Sequence, residues 1–172
     1  MDKWHMLTLV GEDDKGIVAQ VATILFELKY DLGEASMMRL GSNFTMMLMI
    51  KHAEDRHGDD AVTRIQDELA LQAHVVVVKG GLHEHIEPNL RVSVFGTDRP
   101  GIVAQVTAEL AEYGVSILDL ESDVGGSADN PVYIMHIEGY SEQPIDSIKA
   151  SLASIEHVGI DVRVSDFETM VA

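Results

Sequence analysis

The feature that most constrains the fold of this 172-residue chain is an internal duplication. Residues 11–28 and residues 96–113 align without a gap at an offset of 85, and 10 of the 18 aligned positions are identical. The longest identical run has five residues, Ile17–Val21 in the first copy and Ile102–Val106 in the second. A repeat of this kind indicates two copies of one supersecondary unit. We therefore predict two small domains, called repeat 1 and repeat 2 below.

Each repeat shows the same order of predicted elements. A strand rich in apolar and β-branched residues comes first, and a glycine-containing turn follows it. Apolar residues then recur at the spacing of one helical face. Two further strands form a hairpin, and a second helix and a final strand complete the unit. The predicted elements are Trp4–Val10, a helix from Ile17, Asp31–Leu40, Phe44–His52, Asp59–Leu71 and Val75–Lys79 in repeat 1, and Leu90–Phe95, a helix from Ile102, Val115–Val124, Val132–Gly139, Ile145–Ile155 and Ile160–Val164 in repeat 2.

The order βαββαβ predicts an α+β fold of two ferredoxin-like units, each an antiparallel sheet with both helices on one face. About 80 residues bury little core alone, so we expect the copies to pair as an intramolecular pseudo-dimer. The predicted boundaries are 1–82 for repeat 1, 83–89 for a linker and 90–172 for repeat 2. The second hairpin is predicted to turn through a long glycine-containing segment, residues 125–130.

Charge and composition exclude several classes of function. The net charge of −17 repels a phosphate backbone, so we expect no direct contact with nucleic acid, whereas a basic protein partner is compatible with it. The sequence has no cysteine, which removes disulfides and thiolate sites. No signal peptide and no apolar run long enough for a membrane span is recognisable. The expected location is therefore the cytoplasm.

Two motifs carry a resemblance to a known family. The segment Asp98–Val103, between a predicted strand and a predicted helix and followed by Gly114–Ile117, resembles the signature of the ACT domain. The hairpin segment Leu40–Thr45 is similar to one in the tandem-ACT family of the glycine cleavage system transcriptional repressor. That resemblance implies a protein without a DNA-binding domain of its own, which holds a separate DNA-binding activator in check while glycine modifies the contact.

The strand–helix loops are the candidate ligand-binding sites, and the resemblance to the ACT family implies a cleft at the interface between the repeats, lined by these loops and by the start of the second strand. Backbone N–H groups at a helix N-terminus suit a carboxylate, and Gly16 and Gly101 allow a ligand to come close to them. Acidic side chains suit the ammonium group of an amino acid, and we favour glycine or serine as the ligand. The alternative is that Asp13 and Asp98 only cap the helices. The predicted ligand-binding residues are Asp13, Gly16, Ile17, Asp31, Asp98, Gly101, Ile102 and Ser116.

Other constellations carry weaker signals. His83 and His85 alternate in the predicted linker, where a solvated role is favoured over metal binding, and we expect neither a metal site nor a cofactor. A group of methionines in the first hairpin is predicted to pack in the core or between the repeats. Those methionines are Met37, Met38, Met46, Met47 and Met49.

Three functions fit these features. The favoured one is a repressor of the glycine cleavage type that acts through a protein partner. The second is a stand-alone ACT sensor that modulates an enzyme of amino-acid or one-carbon metabolism, since one fold serves many functions. The third is a small acylphosphatase-like enzyme, which we disfavour because Arg99 is the single arginine of the two loops. Exposed edge strands are also compatible with a homodimer.

Overall fold

The structure, a computed structural model, describes residues 3–78, 86–97, 99–127, 130–153 and 159–167. The chain divides into two compact units, Met1–Glu84 and His85–Ala172, which contain repeat 1 and repeat 2. Each unit has the element order βαββαβ, so the predicted α+β fold is confirmed. The predicted linker histidines, His83 and His85, lie outside the described residues.

Repeat 1 is a four-stranded antiparallel sheet with two helices. Its strands are ordered β2-β3-β1-β4, so that the first and third strands of the chain form the centre of the sheet. Strand β2 carries an irregularity between Leu32 and Ala35, where its register against β3 shifts. The elements are β1 His5–Glu12, α1 Ile17–Glu27, β2 Tyr30–Leu40, β3 Asn43–His52, α2 Asp59–Leu69 and β4 Gln72–Val77.

Repeat 2 repeats this arrangement. Its strands are ordered β6-β7-β5-β8, again all antiparallel, and β6 carries an irregularity between Ile117 and Asp119. Strand β6 continues to Ser127 and β7 begins at Asn130, so the predicted long turn at 125–130 is wrong at both ends and only residues 128 and 129 separate the strands. The elements are β5 Leu90–Thr97, α3 Ile102–Glu112, β6 Ser116–Ser127, β7 Asn130–Tyr140, α4 Ile145–Leu152 and β8 Ile160–Asp166.

The core of each repeat lies between the sheet and its two helices. Helix α1 buries Ile17, Val21, Ile24 and Leu25, which the sequence places on one face at helical spacing. Helix α3 buries Ile102, Val106 and Leu110 at the equivalent positions. The sheet contributes alternate residues, since successive side chains on a strand point to opposite faces. The buried strand residues include Leu7, Leu9, Phe44, Leu48 and Ile50 in repeat 1, and Leu90, Val92, Val94, Met135 and Ile137 in repeat 2.

Strand β4 differs from its predicted position. The sequence places it at Val75–Lys79, whereas the strand begins at Gln72. Helix α2 ends at Leu69, and the next residue, Ala70, has a left-handed φ of 54°, so the chain turns into the strand without a longer loop. A Cβ at Gly11 would overlap the end of the Leu71 side chain, so the glycine leaves room for that leucine beside β1.

The other face of each sheet is not covered by that repeat's helices, and we call it the open face. In repeat 1, β1 directs Met6, Thr8 and Val10 to the open face, while His5, Leu7 and Leu9 lie on the helix face. Among the methionines of the first hairpin, Met46 is in the core, whereas Met37, Met38 and Met47 are 42–44% exposed.

Candidate ligand-binding site

Helices α1 and α3 begin at glycines in the left-handed conformation. Gly16 has φ 86° and Gly101 has φ 94°, and a Cβ at either position would meet no atom within 4 Å. Neither helix start has a side-chain capping hydrogen bond among the described residues. In α1 the Ile17 amide donates to the carbonyl of Asp14 at 3.2 Å, and the next first-turn amides, of Val18 and Ala19, keep the donors that no backbone carbonyl of the helix can satisfy. These helix ends suit a negatively charged group.

Asp13 does not cap helix α1. Its backbone N–H donates to the carbonyl of Ser42 at 2.8 Å, and its carboxylate forms an ion pair with Arg39 at 3.1 Å. The side chain of Asp13 is 19% exposed, so the pair with Arg39 tethers the loop to strand β2. The capping alternative is thus wrong for Asp13, while Asp98 lies outside the described residues.

A cavity of about 640 Å³ lies beside the first turn of helix α1 in repeat 1. Its volume is within the range of small-molecule sites. The walls come from the end of β1, the first turn of α1, the end of α2 and the start of β4. The lining residues are Val10, Gly11, Glu12, Asp14, Ile17, Gln20, Asn43, Glu68, Leu69, Ala70, Leu71 and Gln72.

The charged groups of this cavity are all carboxylates. Glu12 makes no ion pair among the described residues, and one oxygen of Asp14 accepts the Lys15 amide at 2.7 Å. Glu68 accepts from the Arg64 guanidinium at 2.6 Å, which partly neutralises it. The C-terminal end of α2 is the negative end of the α2 helix dipole. The first turn of α1 is the positive end of the α1 helix dipole. The cavity can therefore accept an ammonium group and a carboxylate together.

Most of the predicted ligand-binding residues do not line the cavity. Ile17 does line it, although its side chain is 7% exposed and belongs to the core. Gly16 forms the N-cap of α1 next to it, whereas Asp13 points to Arg39. In repeat 2, Ile102 is buried in the core at 2% exposure.

Asp31 and Ser116 lie at the other end of their sheets. In the strand register, Asp31 of β2 lies opposite Lys51 of β3. The strand–helix loop of repeat 1 follows Glu12 of β1, which lies opposite Asn43 of β3. The eight residues from Asn43 to Lys51 correspond to roughly 26 Å along β3. Ser116 is displaced in the same way from the loop of repeat 2. Within one repeat, these residues and the loop do not form one site.

The sequence interpretation missed the polar residues that line the cavity. Glu12 and Asp14 flank the predicted Asp13, so the local charge of the loop was the available signal. Gln20 falls one turn into the helix, on the side that the apolar pattern leaves open. Glu68 comes from helix α2, and no local motif connects it with the loop.

The equivalent loop of repeat 2 has lost the negative charge of the repeat 1 loop, since its charged residues are one aspartate and one arginine. Arg99 stands where repeat 1 has Asp14, and Pro100 stands where repeat 1 has Lys15. Arg99 donates to Gln105 Oε1 at 3.1 Å, and its buried Nε has no partner among the described residues. Two smaller cavities of repeat 2, of about 370 and 310 Å³, lie elsewhere and share Arg91, whose guanidinium is paired with Glu138 at 2.7 Å.

A polar network closes the opposite end of repeat 1. The hydroxyl of Tyr30 donates to Asp60 at 2.6 Å, and Arg56 binds the other carboxylate oxygen at 3.2 Å. Burial, followed by this hydrogen bond, raises the pKa of Tyr30. Burial opposes ionisation of Asp60, yet the hydrogen bonds it accepts from Tyr30, the Ala61 amide and Arg56 leave its pKa below the ordinary value. The network joins the start of β2 to the start of α2.

Two histidines lie near this network. His5 is 1% exposed, and its Nε2 is 3.2 Å from Nδ1 of His57, so one ring donates a hydrogen bond to the other. Among the described residues, no three histidine, aspartate or glutamate side chains are grouped so that they could hold a metal ion. Among the helices that the structure describes, none has the length and apolar character needed to span a membrane.

Comparisons with known proteins agree with this architecture. A model of the ACT domain family matches residues 5–79 and 89–165. A solved protein of unknown function from Galdieria sulphuraria is 20% identical with a TM-score of 0.78, covering 98% of this chain and 100% of that one. A solved protein provisionally named as a glycine cleavage system transcriptional repressor is 15% identical with a TM-score of 0.66, covering 98% and 99%. At these identities the solved structures show the fold alone. No curated protein sequence matches this chain significantly.

Proposed function

The chain belongs to the ACT domain family, and on that premise we propose that it is a regulatory protein that senses a free amino acid. The observation that carries the proposal is the cavity of about 640 Å³ in repeat 1. Its first-turn amides suit the α-carboxylate of the ligand, and Glu12 and Asp14 suit the α-ammonium. We favour glycine or serine as the ligand.

Thermal unfolding of the full chain with each of the twenty amino acids tests this proposal. A ligand present at about 100 times its dissociation constant adds about 2.7 kcal/mol to the free energy of unfolding. We expect a selective rise in Tm, reduced in Asp14→Asn. The matched control is Asp59→Asn, which removes an exposed first-turn carboxylate from helix α2, away from the cavity. If no amino acid changes the Tm, the sensing function is wrong and the ACT fold stands.

The finer proposal is a repressor of the glycine cleavage type that acts through a protein partner. The segment Leu40–Thr45 and the fold shared with the provisionally named repressor support it. The net charge of −17 supports an indirect action, because an acidic chain repels DNA and attracts a basic protein.

Affinity purification of the tagged chain, with and without glycine, distinguishes the two regulatory functions. Recovery of a DNA-binding protein in a glycine-dependent amount supports the repressor. Recovery of an enzyme of amino-acid or one-carbon metabolism supports the alternative sensor. A mobility-shift assay with the isolated chain completes the test, and a retarded DNA band would contradict indirect action.

We propose that the chain has no catalytic role. An acylphosphatase-like activity would need a cationic phosphate loop, and Arg99 is the residue of repeat 2 that offers the charge. Hydrolysis of a synthetic acyl phosphate that is lost in Arg99→Ala would overturn this part of the proposal.

A further inference from the structure

The open face of repeat 1 carries a contiguous apolar surface, which we call the methionine face. Three neighbouring strands, β2, β3 and β1, contribute to it, and Met6 and Met49 are direct cross-strand partners. Its side chains reach solvent: Met38 is 44% exposed, Met47 is 42% exposed and Leu40 is 68% exposed. The methionine face consists of Met6, Val10, Met38, Leu40, Met47 and Met49.

The same face of repeat 2 shows that the fold does not require these apolar residues. At the positions equivalent to Met6 and Met49 it has Arg91 and Glu138, which form an ion pair. At the position equivalent to Met47 it has His136, which hydrogen-bonds to Ser93 at 3.0 Å. An antiparallel sheet is stable with one polar, solvated face. Repeat 2 has the apolar residues Phe95 and Ile134 on this face, at the positions of Val10 and Thr45, but no methionine among the described residues. The exposed methionine-rich surface of repeat 1 therefore indicates an interaction site.

The dimensions of the methionine face suit one α-helix. From Met49 to Asn43, at the level of Leu40, β3 advances six residues, which is roughly 20 Å. Three adjacent strands span roughly 10 Å, which is close to the 10–12 Å diameter of a helix with its side chains. Methionine side chains are flexible and adapt to the ridges of a docked helix.

The ends of the face are not alike. At one end, a Cβ at Gly33 would lie 3.0 Å from Trp4, so the indole covers the glycine, with Lys51 over the ring at 5.2 Å. At the other end, Glu12 follows Val10 on the same side of β1 and makes no ion pair among the described residues. A basic group on the occupant would be attracted to this carboxylate end and to the acidic chain as a whole.

We propose that the methionine face docks an amphipathic helix of a partner protein whose apolar stripe is flanked by lysines or arginines. This inference rests on the proposed function in one respect, that the chain acts through a protein partner. The methionine face borders the amino-acid cavity, because Val10 and Glu12 also line that cavity. Charge selects this occupant over a second copy of the chain, because two copies of net charge −17 repel each other.

Fluorescence anisotropy of the full chain with a labelled leucine–lysine peptide tests the proposal. The peptide is about 18 residues long, five helical turns, with leucines on one face. A second peptide keeps the leucines and replaces every lysine with glutamate. We expect the lysine peptide to bind, more tightly at low salt, and the glutamate peptide not to bind.

Met47→Glu separates docking from general attraction between opposite charges. The substitution makes the chain more acidic, so attraction between opposite charges alone would strengthen peptide binding. If the peptide docks on the methionine face, binding weakens by about tenfold or more, because the new carboxylate would be buried. The matched control is His136→Glu, at the equivalent position of repeat 2, for which we expect less than about a twofold weakening. Met38→Glu, on the edge strand, is the second variant, and circular dichroism checks that all three variants fold.

Several outcomes would overturn the proposal. The first is unchanged or tighter binding of the lysine peptide to both Met47→Glu and Met38→Glu. The second is equal binding of the lysine and glutamate peptides. The third is an equal loss of peptide affinity in Met47→Glu and His136→Glu. Light scattering that shows a dimer dissociated by Met47→Glu would assign the face to a second copy. The amino-acid-induced rise in Tm is measured on the same variants. A rise that persists while the peptide does not bind rejects this docking surface and leaves the sensing function intact.

Discussion

Repeat 1 and repeat 2 are alike on the helix face of the sheet and unlike on the open face. On the helix face, Leu7 and Leu9 of repeat 1 correspond to Val92 and Val94 of repeat 2, and all four are fully buried. On the open face, the methionine face of repeat 1 is replaced in repeat 2 by residues that include Arg91, Asp123, His136 and Glu138. Phe95 and Ile134 keep apolar side chains at one level of this face in repeat 2. The duplicated fold therefore tolerates charged residues in place of methionines on the face that its own helices do not cover.

The two ends of the repeats differ as well. At the strand–helix loop, Asp14 of repeat 1 corresponds to Arg99 of repeat 2, which reverses the charge at that one position. At the other end, Tyr30 is hydrogen-bonded to Asp60, whereas the equivalent residue of repeat 2 is the apolar Val115. The core preserves the fold, and the exposed positions distinguish what each repeat can bind. This is the expected pattern when function is carried by sites placed on a common fold.

The largest expected effect tests whether the two cores are equivalent. Ile65 and Ile148 are both fully buried on the second helix of their repeats. We expect Ile65→Ala and Ile148→Ala each to lower the free energy of unfolding of its own repeat by about 2–5 kcal/mol, because each leaves a cavity. Hydrogen exchange read separately on β1 and β5 measures this. If either substitution lowers the protection from hydrogen exchange in both repeats, the two cores are not independent.

A smaller effect tests the polar network found in repeat 1. Tyr30→Phe leaves Asp60 without its hydroxyl donor, so we expect a loss of about 1 kcal/mol at pH 7. The matched control is Tyr133→Phe in repeat 2, whose hydroxyl donates to the sulfur of Met135 at 3.9 Å, a weak acceptor, and we expect it to cost less. Urea denaturation measures both changes. Equal costs would show that the Tyr30–Asp60 bond does not distinguish the repeats.

The pH dependence of this network follows from its two pKa shifts. The lowered pKa of Asp60 contributes stability that is present above the ordinary aspartate pKa and is lost as the pH falls through the lowered value. The raised pKa of Tyr30 contributes stability that is present below about pH 10 and is lost as the pH rises toward the raised value. The wild-type advantage over Tyr30→Phe should therefore be largest between about pH 4 and pH 10. An advantage that does not vary from pH 3 to pH 11 would contradict this assignment.

The smallest effect concerns the charged open face of repeat 2. Asp119 lies directly opposite Glu138, and Arg91 pairs with Glu138. Removal of the guanidinium in Arg91→Ala leaves two carboxylates facing each other, so we expect a loss of at most about 1 kcal/mol at low salt that decreases at high salt. The equivalent change in repeat 1, Met6→Ala, should show no such salt dependence. Denaturation at two salt concentrations checks both.

Much of the fold could be predicted because its signals are local. The identical runs from Ile17 and Ile102 showed the duplication, and the apolar spacing placed the first helix of each repeat. The start of β4 was placed three residues too late, because the left-handed Ala70 that follows α2 has no residue-type signature. The glycine-containing segment at 125–127 was interpreted as a turn, yet pairing with β7 extends the strand through it.

The candidate site was less predictable because its walls come from separate elements. Glu68 on α2 approaches the loop after β1 only through the packing of helices on the sheet. Asp31 was predicted to bind a ligand together with the loops; within repeat 1 it lies at the other end of the sheet from Asp13, because helix α1 returns the chain there before β2 begins. The methionines at 47 and 49 were visible in the sequence. Whether they faced the core depended on the strand register, since a shift of one residue exchanges the two faces.

The sequence by itself determined the duplication, the order of elements, the helix-face core and the acidic charge. These features follow from identity, from apolar periodicity and from counting, all of which act along the chain. Only the tertiary structure decided which carboxylates share a cavity, which loop residues are paired, and which side of β3 carries exposed methionines. Those outcomes depend on register and on contacts between residues distant in sequence, because a β-strand has two faces and a helix can approach only one of them.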